Sequence, residues 1–212
     1  MTRPRLMLAD DHTILVEAFR KLLEPHYEVV GSVSDGRALL DIAPQLNPEV
    51  VVLDIGMPLM NGLEAGLRLK EQMPNVKLIF LTMNEDPDLA VEAMRSGAAA
   101  YLLKSSATEE LLRAIQMALK GKTYVTPLIA RGMQNSFIKN PQASGQAKTI
   151  TPRQREVVQL LAEGKSMKEV AAILNIKERT VAFHKYRVME ELNIGSSAEL
   201  VQFAMKTRIL VK

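Results

Sequence analysis

The sequence predicts an α/β doubly wound five-stranded parallel sheet followed by an all-α four-helix helix-turn-helix domain. Three observations carry this. In residues 1–122, five short apolar runs alternate with five segments of helical periodicity. That is the pattern of a parallel sheet covered by helices on both faces, with right-handed crossovers. Residues 123–148 lose the alternation and read as a linker. From Thr151 onward only helical patterns recur, each opened by a Ser or Thr with Glu or Gln three residues on, or following a tight turn. The domain boundaries are therefore 1–122, 123–148 and 149–212.

The composition allows this. At 212 residues the chain can hold two domains, and 47% hydrophobic content suffices for real cores. No apolar run approaches the roughly 20 residues of a membrane span, so no membrane partner is expected. The opening Met1 to Arg5 lacks a signal-peptide pattern. Cysteine is absent, which excludes disulfides, thiolate metal sites and cysteine nucleophiles. A cytoplasmic protein is expected. The net charge of +3 conceals an asymmetry. Residues 1–122 hold 13 Lys/Arg against 17 Asp/Glu, a balance of −4, whereas residues 149–212 hold 11 against 7, a balance of +4. A basic C-terminal part points to a polyanionic partner.

In the N-terminal part, Arg5 to Ala9 is a short strand that ends in Asp10 and Asp11. Thr13 starts a helix with Ile14, Leu15, Ala18, Phe19, Leu22 and Leu23 on one side. Glu28 to Val33 is a second strand, and Asp35 to Ala43 a helix stopped by Pro44. Val50 to Leu53 does not alternate, so it reads as a strand buried on both faces. Gly56 and Pro58 break the chain after Asp54, and Asn61 caps a third helix. Val76 to Thr82 and Ala99 to Leu103 are the last two strands. Asp88 to Ser96 and a helix capped by Thr108 follow them, ended by Gly97 and Gly121.

In a parallel sheet all strand ends of one kind face the same way. Asp10 and Asp11, Asp54, Thr82 and Lys104 each follow a strand, so three carboxylates, a hydroxyl and an ammonium should converge where an open α/β sheet binds its ligand. Three nearby carboxylates repel, and a hard divalent cation such as Mg²⁺ relieves that repulsion. Mg²⁺ also binds phosphoryl oxygens. Lys104 can neutralise a further oxygen, and Thr82 can donate to another. Asp54 is then a nucleophile that accepts a phosphoryl group as an acyl phosphate. His12 reads as a solvated residue or a local cap, and Met57, Met60 and Met83 as packing groups.

These residues, with the Ile55 to Gly62 tail and Tyr101, resemble the receiver domain of a two-component response regulator over all of residues 1–122. The resemblance implies the CheY-like fold and a histidine kinase as the phosphoryl source. It implies Mg²⁺ held by Asp11, Asp54 and the Gly56 carbonyl, with Asp10 helping through water. It makes Thr82 and Tyr101 a switch pair, Thr82 moving toward the phosphoryl group and Tyr101 turning inward behind it.

Tyr124 to Ile138 is mixed, with one helical turn after Pro127, and Lys139 to Lys148 reads as a flexible tether. Capping boxes at Thr151 and Gln154, Ser166 and Glu169, and Ser196 and Glu199 open three helices. A fourth runs from Glu178 to Leu192 after a tight turn, which suggests a helix-turn-helix whose second helix reads DNA. Its outward positions are Arg179, Ala182, Phe183, Tyr186 and Arg187, with Lys185 beside them. Basic residues there neutralise phosphates, and Phe183 and Tyr186 can meet base edges or thymine methyls. His184 is a packing or phosphate-contacting residue. Thr151 to Val157, Thr180, Val181, His184 and Met189 to Leu192 resemble the LuxR-type DNA-binding domain. With the receiver they place the chain in the NarL/FixJ class. The implied contacts to double-stranded DNA are Lys177, Arg179, Thr180, Ala182, Phe183, His184, Lys185, Tyr186 and Arg187. Ala182 and Glu191 depart from the family pattern, where basic residues are common. The family pairs into homodimers when phosphorylated, and offers the first and fifth receiver helices and the last helix as surfaces.

Two other readings compete with a phosphorylation-controlled transcription factor that is not an enzyme. A phosphatase with an aspartyl nucleophile needs an acid two residues after it, where this chain has Gly56. A regulator acting by protein contact would lack the steep salt dependence of duplex binding.

Overall fold

A computed structural model of the chain describes residues 3–139, 150–207 and 209–210. The chain divides into two compact units, Met1–Pro141 and Gln142–Lys212.

The first unit runs β1 (Arg5–Ala9), α1 (Thr13–Leu23), β2 (Glu28–Val33), α2 (Gly36–Leu46), β3 (Val50–Asp54), α3 (Gly62–Gln72), β4 (Lys77–Thr82), α4 (Pro87–Arg95), β5 (Ala100–Leu103), α5 (Ala107–Leu119), β6 (Tyr124–Val125) and α6 (Pro127–Lys139). The strands form one sheet in the order β2-β1-β3-β4-β5-β6, every pair parallel. β3 lies inside the sheet and all five of its residues are buried, as its unbroken apolar run requires. Side chains alternate across the sheet. Leu6, Leu8, Val50, Val52, Ile79, Leu81 and Leu102 meet Phe19 and Leu23 of α1 and Leu111, Ala114 and Ile115 of α5. Each Leu, Val, Ile or Phe among them contributes about 1.5–3 kcal/mol on full burial. On the other face α3 lies close to the sheet, because Gly66 has no Cβ: one would stand 2.8 Å from Phe80 Cζ.

The structure departs from the expected elements at four places. Pro44 does not stop α2 but lies inside its last turn. The hydrogen bond it removes is near the helix end, and Asn47 closes the helix in the left-handed region, its N–H donating to Ala43 O at 2.8 Å. Thr108 is not the cap of α5: Ser106 holds that position without a side-chain cap bond. The sheet has six strands, because Tyr124–Val125 pairs with Ala100 and Tyr101 of β5. Residues 127–139, expected as linker with one helical turn, form α6, which packs on α4. The small Gly132 permits this, since a Cβ there would stand 2.4 Å from Pro87 Cγ. Thr126 ties the segment down: its hydroxyl donates to Glu110 Oε2 at 2.8 Å and accepts from Leu103 N–H at 3.3 Å. Beyond Lys139, the expected tether up to Lys148 lies outside the described residues.

The second unit holds α7 (Pro152–Ala162), α8 (Met167–Leu174), α9 (Glu178–Glu191) and α10 (Ser197–Lys206). Reciprocal capping boxes open α7 at Thr151 and Gln154 and α8 at Ser166 and Glu169. At α10 the Ser196 hydroxyl accepts from Glu199 N–H, while the Glu199 carboxylate takes the N–H of Gly195 at 2.9 Å. Asn175, left-handed at φ 51°, turns the chain sharply between α8 and α9. Arg153 braces that turn by donating to the Leu174 carbonyl at 2.9 Å. Val158, Val188, Leu200 and Ala204 form the core with Ile150 and Ile209.

Among the described residues, no helix is long and apolar enough to cross a membrane.

Candidate functional site

The strand order reverses between β1 and β3, each followed by its helix on opposite sides, and this is where open α/β sheets bind ligands. Register sets what stands there. Ala9 pairs with Leu53, Asp54 with Leu81, and Thr82 with Leu103. Asp10, Asp54, Thr82 and Lys104 therefore line one edge of the sheet.

The loop after β3 is folded tightly back on Asp54. Gly62 N–H donates to Ile55 O at 2.9 Å. A Cβ on Gly62 would stand 2.0 Å from the Asp54 carbonyl oxygen, so α3 can begin here only at glycine. Leu59 takes φ +64° and lets Met60 N–H reach Pro58 O at 2.7 Å. Asn61 then caps α3, its side chain accepting from Glu64 N–H at 2.9 Å.

Asp10 and Asp54 are buried, at 5% and 4% exposure. Lys104, also buried, meets both: its Nζ stands 2.8 Å from Asp10 Oδ2 and 2.9 Å from Asp54 Oδ2. Asp10 Oδ2 has no hydrogen bond of good geometry, so the nearby ammonium charge stabilises it. Burial pushes the Asp54 carboxyl above its ordinary pKa, and the charge of Asp10 adds to this. Lys104 and a hydrogen bond from the Gly56 amide act the other way. Asp11 is more open, and His12 Nδ1 lies 3.0 Å from both Asp10 Oδ1 and Asp11 Oδ1. Asp10, Asp11, His12 and Asp54 offer donor atoms that lie within 4.8 Å of one another. Three clustered carboxylates are the donor chemistry a hard divalent cation takes, so the residues fit such an ion.

Thr82 and Tyr101 converge on one residue that sequence reasoning missed. Thr82 Oγ1 accepts from Asn84 N–H at 3.0 Å, and the Tyr101 hydroxyl donates to Asn84 O at 3.5 Å. Tyr101 is fully buried, so its ring is already turned inward. Of the methionines expected to pack, Met57 and Met60 are buried and Met83 is 72% exposed.

In the second unit Lys177, at the N-cap of α9, and Arg179, Phe183, Tyr186 and Arg187 on α9 face solvent, whereas Thr180, Ala182, His184 and Lys185 are half-buried. Phe183 and Tyr186 are 56% and 57% exposed, unusual for aromatics without a partner surface. The cations flank them: Lys185 Nζ lies 5.5 Å from the Tyr186 ring centre and Arg187 5.9 Å from that of Phe183. Arg187 also donates to Glu191 at 2.9 Å. Burial lowers the His184 pKa, and Arg153 adds to this, which favours the neutral ring.

A buried acidic cluster with one lysine, at the mouth of a doubly wound sheet, joined in the same chain to a helix-turn-helix, defines a regulator with a receiver and a DNA-reading module. Comparison with known proteins agrees. The model of the response regulator receiver domain matches residues 6–116, and that of the bacterial regulatory proteins of the luxR family matches residues 148–204. The oxygen regulatory protein NreC of Staphylococcus carnosus is 31% identical over 97% of this chain and 99% of its own. Among solved structures, Salmonella typhimurium RcsB superposes with a TM-score of 0.65 at 26% identity, over 100% of both chains. RcsB of Salmonella enterica serovar Typhimurium bound to promoter P1flhDC in the presence of the phosphomimetic BeF3- gives 0.61 at 27% identity, over 95% of this chain and 98% of that one. The chain belongs to the two-component response regulators of the NarL/FixJ type, a family of transcription regulators rather than enzymes.

Proposed function

We propose that Asp54 is the phosphoacceptor and that a histidine kinase supplies the phosphoryl group. The observation that carries this is the pair of buried carboxylates sharing the Lys104 ammonium at 2.8 and 2.9 Å. An Asp54 carboxylate oxygen attacks phosphorus, an O–P bond forms, and the N–P bond of the phosphohistidine breaks. The imidazole leaves with the electron pair and takes up a proton. Asp11, Asp54 and the Gly56 carbonyl would hold Mg²⁺, with Asp10 acting through water, and the ion would neutralise phosphoryl oxygens during transfer. Lys104 pairs with the charge that the phosphoryl group brings.

Thr82 is the sensor. Turning its hydroxyl toward a phosphoryl oxygen gives up the bond from Asn84 N–H and frees the start of the β4–α4 loop. Tyr101, bonded to Asn84 O and buried behind it, moves with that loop. The output is double-stranded DNA. α9 enters the major groove, with Lys177, Arg179, Thr180, His184, Lys185 and Arg187 on the phosphate side and Ala182, Phe183 and Tyr186 facing the bases. RcsB structures with DNA and as dimers support this reading, and a phosphorylated homodimer reads paired half-sites. A DNA target puts its work in the cytoplasm.

The test is intact-mass measurement after incubation with acetyl phosphate and Mg²⁺. One phosphoryl group, removed by hydroxylamine and absent from Asp54→Asn, is the expected result. A hydroxylamine-stable adduct that survives in Asp54→Asn would place the acceptor elsewhere.

A further inference from the structure

We propose that His12 is a ligand of the receiver's cation site and sets its metal preference toward divalent ions that accept imidazole, such as Mn²⁺, Co²⁺ and Ni²⁺. This rests on the reading of Asp11 and Asp54 as a cation site. The side chain of His12 holds the N-cap position of α1 but makes no capping bond to that helix. It is turned to the acids instead, and its own backbone N–H donates to Asp10 Oδ1 at 2.9 Å, which fixes the residue in place.

The spacing suits coordination. On an octahedron with bonds of about 2.1 Å, neighbouring donors stand about 3.0 Å apart and opposite donors about 4.2 Å. His12 Nδ1 is 3.0 Å from a carboxylate oxygen of Asp10 and 3.0 Å from one of Asp11. The donor atoms of Asp11, His12 and Asp54 fall within 4.8 Å of one another, and Asp10, which acts through water, lies beside them. The His12 side chain is 60% exposed, so water can complete the coordination sphere from that side. Without a metal Nδ1–H can donate to these carboxylates; with the proton moved to Nε2 on metal binding, the Nδ1 lone pair would take the same direction. Oxygen-only sites suit Mg²⁺, whereas one imidazole favours later first-row ions in the order Mn²⁺, Co²⁺, Ni²⁺.

The experiment uses the full chain, with His12→Ala and His12→Asn. His12→Asn keeps a side-chain donor near the carboxylates but replaces the imidazole. Mn²⁺ is followed by pulsed paramagnetic resonance, which detects a coordinated imidazole nitrogen, and Mg²⁺ and Ni²⁺ binding by titration calorimetry. The expected result is a nitrogen coupling in the wild type that both variants lose. Ni²⁺ affinity should fall by about tenfold or more while Mg²⁺ affinity changes by less than about threefold. Bound Mn²⁺ without nitrogen coupling, and an unchanged ranking of the ions in the variants, would overturn the proposal and leave the carboxylate site standing, with His12 as a clamp on Asp10 and Asp11. Failure of the wild type to bind any of the ions would overturn the cation site itself.

Discussion

Replacing Lys104 by methionine removes the ammonium that both buried carboxylates meet. Asp10 and Asp54 are each about one-twentieth exposed, so water cannot take its place. Breaking a buried ion pair from one side costs about 3–5 kcal/mol. At about 4 °C per kcal/mol for a unit of this size, the receiver's melting point should fall by about 10–20 °C in metal-free buffer. Asp54→Asn acts on the same cluster with a different outcome. It leaves Lys104 2.8 Å from Asp10 and removes one of two like charges, so the loss should stay below about 1 kcal/mol. Scanning calorimetry with chelator present separates the two, and it resolves the receiver transition from that of the helical unit. Adding Mg²⁺ should recover more stability in Lys104→Met than in the wild type, because the cation then takes over the neutralisation. A Lys104→Met protein that melts with the wild type, or within about 4 °C of Asp54→Asn, would refute this charge balance.

Gly62→Ala places a Cβ 2.0 Å from the Asp54 carbonyl, so the loop must shift; a stability loss of about 1–3 kcal/mol and weakened uptake of beryllium trifluoride, read by fluorine resonance, are expected. Arg179→Ala should lower the salt slope of duplex binding by about one, as removal of one phosphate contact does. Glu191→Ala releases Arg187 from its 2.9 Å bond and should strengthen binding, seen in the same fluorescence-anisotropy titrations. The His184 ring should titrate below its ordinary 6.5 in a proton-resonance titration, because burial disfavours the charged form. Its contribution to stability is then full above about 6.5 and lost as pH falls through the depressed folded value. A His184 midpoint at or above 6.5 would contradict the packing described.

The alternation of apolar runs and helical periods makes the sheet legible, because strands buried on both faces must be continuous in hydrophobicity, as Val50 to Leu53 is. Parallel strands then carry Asp10, Asp54, Thr82 and Lys104 to one edge. What escaped the sequence depends on tertiary contact. β6 is two residues long and exists through pairing with β5, and α6 is held by the fit of Gly132 against Pro87. The two-residue β6 is too short to show a period, and α6 has no acid in its first turn to mark its start. Pro44 and Thr108 mislead for a local reason: a proline near a helix end removes one hydrogen bond, and a threonine one residue inside a helix start reads as its cap although Ser106 holds that position. Asn84 is invisible because its backbone, not its side chain, does the bonding: its N–H donates to Thr82 and its carbonyl accepts from Tyr101. His12 reads as solvated from sequence, and it is exposed, yet its Nδ1 faces two acids.

Phosphoryl control of DNA binding is tested most directly by selection from a pool of random duplexes, with and without beryllium trifluoride and Mg²⁺, for the wild type and Asp54→Ala. Enrichment of one paired motif, strengthened by the analogue in the wild type alone, is the expected result. Enrichment equal in all four conditions, or none in any, would contradict the claim that a phosphoryl group on Asp54 controls DNA binding by α9.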